Sequence, residues 1–165
     1  MKLLPYDSFQ LIVDDPISQV QERLAAHVEP RNFWNFFRSS GNGFVGKVEG
    51  NSFKICRGIS YRNSFLPIMC GALEPHQSGT QITVRMRLHL LVIAFLIIWI
   101  WQALKFVLPF SAVAFWAEIG QAALMVGAAL LMTYAGFWFE AGKSKKAFLE
   151  IYQKAESNTP LEPSR

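Results

Sequence analysis

The sequence predicts an α+β fold carried on a membrane anchor. The expected order is a small antiparallel sheet with one packed helix, a two-helix transmembrane hairpin and a short C-terminal amphipathic helix. Three observations lead there. Two long apolar runs, Leu88–Leu108 and Ile119–Phe139, sit in the second half of the chain. Several short stretches before them alternate apolar and polar residues, the pattern of half-buried strands. One N-terminal stretch instead repeats its apolar residues at helical spacing.

Each apolar run is about 20 residues, enough to cross roughly 30 Å of hydrocarbon at 1.5 Å per residue. A lone segment crosses as a helix, because lipid offers no partner to backbone N–H and C=O groups. The first run holds three clearly polar residues, His89 near its start and Gln102 and Lys105 towards its end. The second holds no formal charge. With 165 residues, the chain is too small to bury two such runs on all sides as a soluble core. The expected division is a domain over 1–87, a hairpin over 88–139 and a C-terminal part over 140–165.

The N-terminal elements follow in order. Tyr6–Val13 alternates, with Phe9, Leu11 and Val13 on one face, and reads as a strand. Asp14-Asp15-Pro16 reads as a helix start, Asp15 capping and Pro16 at the first helical position. Ile17, Val20, Leu24 and Val28 form the apolar stripe of that helix, and Pro30 ends it. Phe33, Trp34, Phe36 and Phe37 are read as core or as a membrane-surface anchor in preference to a base-stacking platform. Phe44–Glu49 and Phe53–Arg57 form a hairpin across Gly50-Asn51. The piece Ile59–Phe65 leads to Pro67 and then to Ile68–Leu73, followed by a turn at Pro75–Gly79. Thr80–Arg87 alternates, with Ile82, Val84 and Met86 on one side and Thr83, Arg85 and Arg87 on the other. The expected core is Phe9, Leu11, Val20, Leu24, Phe44, Phe53, Ile55, Ile82 and Val84.

Pro109 breaks the first span, and Trp99, Trp101, Phe110, Phe115 and Trp116 form an aromatic belt at the far interface. Gly120, Ala123 and Gly127 stand at the small-residue spacing that lets helices approach closely, with the first span as the favoured partner. Trp138 and Phe139 mark the near interface. Lys143, Lys145 and Lys146 follow, and Phe148, Leu149, Tyr152 and Ala155 give the amphipathic helix. The tail from Ser157, with Pro160 and Pro163, is expected to be disordered.

The net charge of +4 is accounted for by basic residues flanking the spans, so nucleic acid is not expected as a partner. Arg85, Arg87, Lys143, Lys145 and Lys146 flank the two outer ends, against Lys105 near the connection. That bias places both termini in the cytoplasm. No apolar run suited to a cleavable signal peptide opens the chain, since Pro5 and Asp7 follow Leu4 almost at once. Cys56 and Cys70 form no C-x-x-C pair and read as reduced structural residues.

No catalytic constellation is visible. His27, His76 and His89 lack partners at metal-ligand spacing, and neither a G-x-S-x-G nor a phosphate-cradling glycine loop occurs. No metal or cofactor is expected. The candidate recognition surface is Arg57, Tyr61, Arg62 and Asn63, joined by Arg85 and Arg87. Arginine's planar fork suits a phosphate, a carboxylate or an acidic patch on a partner. The plainer reading makes these residues solvated charges that set membrane orientation.

The pattern F-x-G … F-x-I … Y-R-N-S-F-x-P … G-T is carried by Phe44, Gly46, Phe53, Ile55, Tyr61-Arg62-Asn63-Ser64-Phe65, Pro67 and Gly79-Thr80. With the layout around it, it resembles uncharacterised bacterial two-span membrane proteins with a small N-terminal cytosolic α+β domain. The resemblance covers about the middle third of the chain and implies a place in a bacterial inner membrane; it implies no activity. Two functions are therefore expected to compete. One is a non-enzymatic small subunit or adaptor that docks a cytosolic domain on a membrane assembly, through a membrane-protein partner or self-association. The other is a membrane-tethered enzyme or sensor acting on an anionic or lipid-like small molecule. A pocket converging on Arg57, Tyr61 and Arg62 would favour the second, and a filled core the first.

Overall fold

A computed structural model describes residues 5–30, 43–61, 63–107 and 115–156. The aromatic cluster Phe33, Trp34, Phe36 and Phe37, Arg62, Pro109, Phe110 and the tail from Ser157 lie outside the described residues. The chain is α+β, with a six-stranded mixed sheet and three helices. The elements are β1 (Tyr6–Val13), α1 (Ile17–Ala26), β2 (Val28–Pro30), β3 (Phe44–Glu49), β4 (Ser52–Arg57), β5 (Ile68–His76), β6 (Gly79–Arg87), α2 (Leu90–Val107) and α3 (Phe115–Glu156). The strand order is β1-β6-β5-β4-β3-β2.

The sheet differs from the expected antiparallel one at its β2 edge. Every neighbouring pair is antiparallel except β2 with β3, which is parallel. Val28 and Pro30, read from sequence as the end of the helix, belong to this strand. α1 stops at Ala26, and the His27 carbonyl accepts a hydrogen bond from the Phe44 amide at 3.0 Å. The cause is local: a residue before proline is pushed to extended backbone, and proline is tolerated on a sheet edge, where no donor is needed.

The helix start also differs. Pro16 is itself the N-cap, in extended conformation, and no side chain caps α1. Asp15 therefore sits one position too early to cap; its carboxylate pairs with Arg23 at 2.6 Å. Its carbonyl accepts a hydrogen bond from the buried Thr80 hydroxyl at 2.7 Å, which ties α1 to β6. Gly50 turns the β3–β4 hairpin with φ +52°, and Gln21 of α1 donates to its carbonyl at 2.7 Å.

Strand parity divides the sheet into two faces. The inner face carries Phe9 and Leu11 from β1, Phe44 from β3, Phe53 and Ile55 from β4, Met69 and Leu73 from β5, and Ile82, Val84 and Met86 from β6. Phe9 and Leu11 are half-buried and the others are buried. α1 covers part of this face with Val20 and Leu24. The rest is covered by the C-terminal part of α3.

α3 is one continuous helix of 42 residues. No break separates the second apolar run from the expected C-terminal amphipathic helix. Phe137, Ala141, Ser144, Phe148 and Tyr152 are buried at spacings of three and four, so one stripe faces the sheet. The Phe148 ring stacks on Phe53 at 5.6 Å between centroids and meets Phe9 and Phe44 edge-on at 5.9 and 6.1 Å. Gly71, opposite Phe53, leaves room for that ring, because a Cβ there would fall 2.1 Å from it.

α2 starts three residues after β6 ends. The imidazole Nδ1 of His89 accepts the Leu91 amide at 3.1 Å, filling one of the open donors of the first turn. α2 and α3 pack side by side, with Ala103 and Ala122 buried between them. Elsewhere both present large apolar side chains outwards, among them Leu90, Leu91, Ile97, Ile98 and Trp101 on α2 and Leu124, Leu131, Met132 and Phe139 on α3. The helix Glu118–Gln153 is long and apolar enough to cross a membrane, and Leu90–Lys105 is a shorter apolar helix.

Phe148→Ala should cost about 3–5 kcal/mol, because it empties the space between α3 and three sheet aromatics. Leu131→Ala, on the exposed side of the same helix, should leave the thermal midpoint in detergent almost unchanged. Equal midpoints for the two variants would remove α3 from the core.

Candidate functional site

Arg57 shares strand parity with Phe53 and Ile55, so it projects from the inner face at the last position of β4. Tyr61 lies four residues further on, in the β4–β5 loop. Glu140 of α3 meets both. Arg57 Nη2 donates to Glu140 Oε2 at 2.5 Å and to the Tyr61 hydroxyl oxygen at 3.1 Å. The Tyr61 hydroxyl donates to Glu140 Oε1 at 2.6 Å. Both carboxylate oxygens are thus engaged, and the Glu140 side chain is only 1% exposed, against 20% for Arg57.

Burial by itself would raise the Glu140 carboxyl. The hydrogen bonds from Tyr61 and Arg57, with the charges of Arg57 and Lys143, outweigh burial and hold it below the ordinary carboxylate value of 4.5. The Glu140 carboxylate, with a smaller contribution from burial, pushes the Tyr61 phenol above its ordinary 10.0. Glu140 was not singled out from the sequence. Its signal was faint: one acid directly after an apolar run, flanking the stripe Phe137, Ala141, Ser144, Phe148.

The other residues of the expected recognition surface are dispersed. Asn63 shapes the loop, its Oδ1 accepting the Phe65 amide at 3.0 Å. Arg85 and Arg87 have the parity of Thr83 and are exposed on the outer face, opposite the face that carries Arg57. Arg62 is outside the described residues. Gly120, Ala123 and Gly127 are exposed, and a Cβ added at either glycine would meet nothing within 4 Å. The contact with α2 runs through Ala103 and Ala122 instead.

This arrangement is a closed ion pair with a phenol across it. It offers no nucleophile, and its carboxylate is committed on both oxygens. The space between α3 and the sheet is filled by Phe148, Phe53, Phe44 and Phe9. The imidazoles of His27, His76 and His89 engage, respectively, the Arg23 carbonyl, the Ser78 hydroxyl and the Leu91 amide. Among the described residues no group of three His, Cys, Asp or Glu side chains could hold a metal. A shallow trough on the outer face is lined by Val45, Lys47, Lys54, Cys56 and Ile68, with Lys47 directly across from Lys54.

Comparison with known proteins finds no matching family, no matching characterised protein and no matching solved structure.

Glu140→Gln should destabilise the protein by about 3–5 kcal/mol, since it strands the Arg57 charge. Tyr61→Phe should cost less, about 0.5–1.5 kcal/mol for each of the two hydrogen bonds its hydroxyl makes at this half-exposed site. Replacing both members, Arg57→Met with Glu140→Leu, should recover much of the loss. Thermal midpoints in detergent test this order, and a harmless Glu140→Gln would contradict it.

The pair also gives a pH signature. Glu140 is held low, so its contribution is complete above 4.5 and is lost as pH falls through its lowered value. Tyr61 is held high, so its contribution is complete below 10.0 and is lost as pH rises through its raised value. Hydrogen-exchange protection factors along 140–152, corrected for the intrinsic pH dependence of exchange, should therefore fall on the acid side in the natural chain. That acid step should be missing in Glu140→Gln.

Proposed function

We propose that this chain is an integral membrane protein that works without catalysis. In this reading Leu88–Leu108 and Ile119–Phe139 cross as a hairpin, and residues 1–87 with 140–165 lie on the cytoplasmic side of a bacterial inner membrane. Its role is that of a small subunit or adaptor, holding the sheet in a fixed position on a membrane assembly. The observation that carries this reading is the continuity of α3: the helix that supplies the second apolar run also supplies the cover of the sheet. A linker would let the sheet wander, whereas an unbroken helix fixes its height and rotation.

The exposed apolar belt on α2 and α3 supports the hairpin, because a soluble protein does not leave so large a patch in water. The flanking charges support the orientation, with Arg85, Arg87, Lys143, Lys145 and Lys146 outweighing Lys105. The competing reading, a tethered enzyme or sensor with its anion site at Arg57 and Tyr61, loses its ligand groups to Glu140.

Alkaline phosphatase fused after Arg165 should be inactive, and a fluorescent protein at the same point should glow. The reverse pair of results would overturn the orientation. The full chain isolated in native nanodiscs should carry a second membrane protein in constant ratio. A chain that purifies alone and turns over a lipid-like substrate would overturn the adaptor reading.

A further inference from the structure

We infer that residues 58–61 and 63–67 of the β4–β5 loop are a lipid-contact surface that lays Phe65 and Tyr61 into the headgroup layer beside α3. The inference rests on the membrane reading above, and its test separates the two.

The loop leaves the sheet at the end nearest the apolar helices. It joins Arg57 to Ile68, and Ile68 pairs with Arg87, three residues before α2 begins. The next observation is a contact. The Phe65 ring lies against the bare backbone of Gly136 on α3, where a Cβ would stand 2.8 Å from its Cδ2 atom. Gly136 precedes Glu140 by four residues, which is about 6 Å along a helix axis. Phe65 therefore reaches below the level at which α3 first carries a charge after its apolar run. Tyr134, Trp138 and Phe139 stand at that same level, the depth at which aromatic rings gather in membranes.

The loop is built to hold this position. Asn63 accepts the amides of Phe65 and Leu66, through its side chain at 3.0 Å and its carbonyl at 3.4 Å. That turn aims Phe65 at α3. Tyr61 is 48% exposed, yet its hydroxyl is fixed by Glu140. A ring left open with its polar tip tethered at the charged level suits the boundary between headgroups and acyl chains. The occupant is the bilayer's own interfacial layer, because the half-buried Phe65 packs on α3 at the depth of Gly136 and leaves Tyr61 and Ser64 exposed beside the apolar run.

The test uses the full chain in vesicles of phosphatidylcholine with phosphatidylglycerol. In a Cys56→Ser, Cys70→Ser background, a nitroxide is attached in turn at Ser64→Cys, Ile97→Cys and Lys47→Cys, all exposed positions. Collision with oxygen relative to a water-soluble nickel chelate should be highest at position 97, intermediate at 64 and lowest at 47. Position 64 as wet as position 47, with 97 in lipid, overturns the loop and leaves the membrane reading intact. Position 64 shielded from both reagents also overturns it, since protein would then cover the loop. Position 97 open to the chelate overturns the membrane reading itself. The unmodified chain gives a second measurement that needs no variant to fold. A lipid carrying a diazirine next to its glycerol should mark Tyr61 and Ser64. Marking of α2 without the loop would overturn the inference.

Discussion

A carboxylate buried where helix meets sheet sets the terms for the rest of the molecule. Glu140 is almost fully enclosed. An ionised group in that position costs several kcal/mol unless it is paired and hydrogen-bonded. Arg57 and Tyr61 meet that requirement only if α3 has one height and one rotation relative to β4. Once those are fixed, Phe148 falls over Phe53 and Tyr152 lies beside Phe148. The apolar stripe supplies most of the stabilisation. The ion pair decides which of several sliding arrangements of a smooth apolar helix is adopted.

Distances along the two elements agree with this. Arg57 and Phe53 are four residues apart on β4, about 13 Å in a strand. Their partners Glu140 and Phe148 are eight residues apart on α3, about 12 Å in a helix. The match fits a helix laid along the strand direction from the Arg57 end, while Phe148 also reaches back to Phe44, the partner of Arg57 across the sheet. α1 starts at the far end, where Gln21 bonds the β3–β4 turn and Thr80 bonds the Asp15 carbonyl, and ends beside Phe44 at the β2–β3 edge. The two helices share the face without competing. Gly71 supports the α3 contact, because without a side chain there the Phe53 ring lies low enough for Phe148 to stack on it.

Much of this was legible in the residues. Period-two alternation located β1, β3, β4 and β6 to within a residue, and the stripe Val20, Leu24 located α1. Parity alone also separates Arg57, which alternates in step with Phe53 and Ile55, from Arg85 and Arg87, which alternate out of step with Val84 and Met86. Grouping the three arginines ignored that rule. Two features were hidden for better reasons. β2 is three residues long and parallel, and its pairing with β3 spans a segment that carries no strand signal of its own. The Arg57–Glu140 pair joins residues 83 apart, and no local pattern encodes such a meeting. The continuity of α3 was missed because a drop in hydropathy at Glu140 looks like an ending. The helical stripe, in fact, passes straight through it.

The proposed membrane placement would also limit how two copies could meet. β1 is an eight-residue edge without proline or lysine to guard it. Antiparallel pairing of β1 with its copy would place a two-fold axis perpendicular to the sheet. Copies inserted with the same orientation need their two-fold axis along the membrane normal instead. If α3 crosses the membrane as proposed and lies along the strand direction, the sheet plane contains that normal, and an axis perpendicular to the sheet lies in the membrane plane. Such a pair would insert its two hairpins in opposite directions. On that proposal, antiparallel edge pairing between copies does not fit a uniformly oriented membrane.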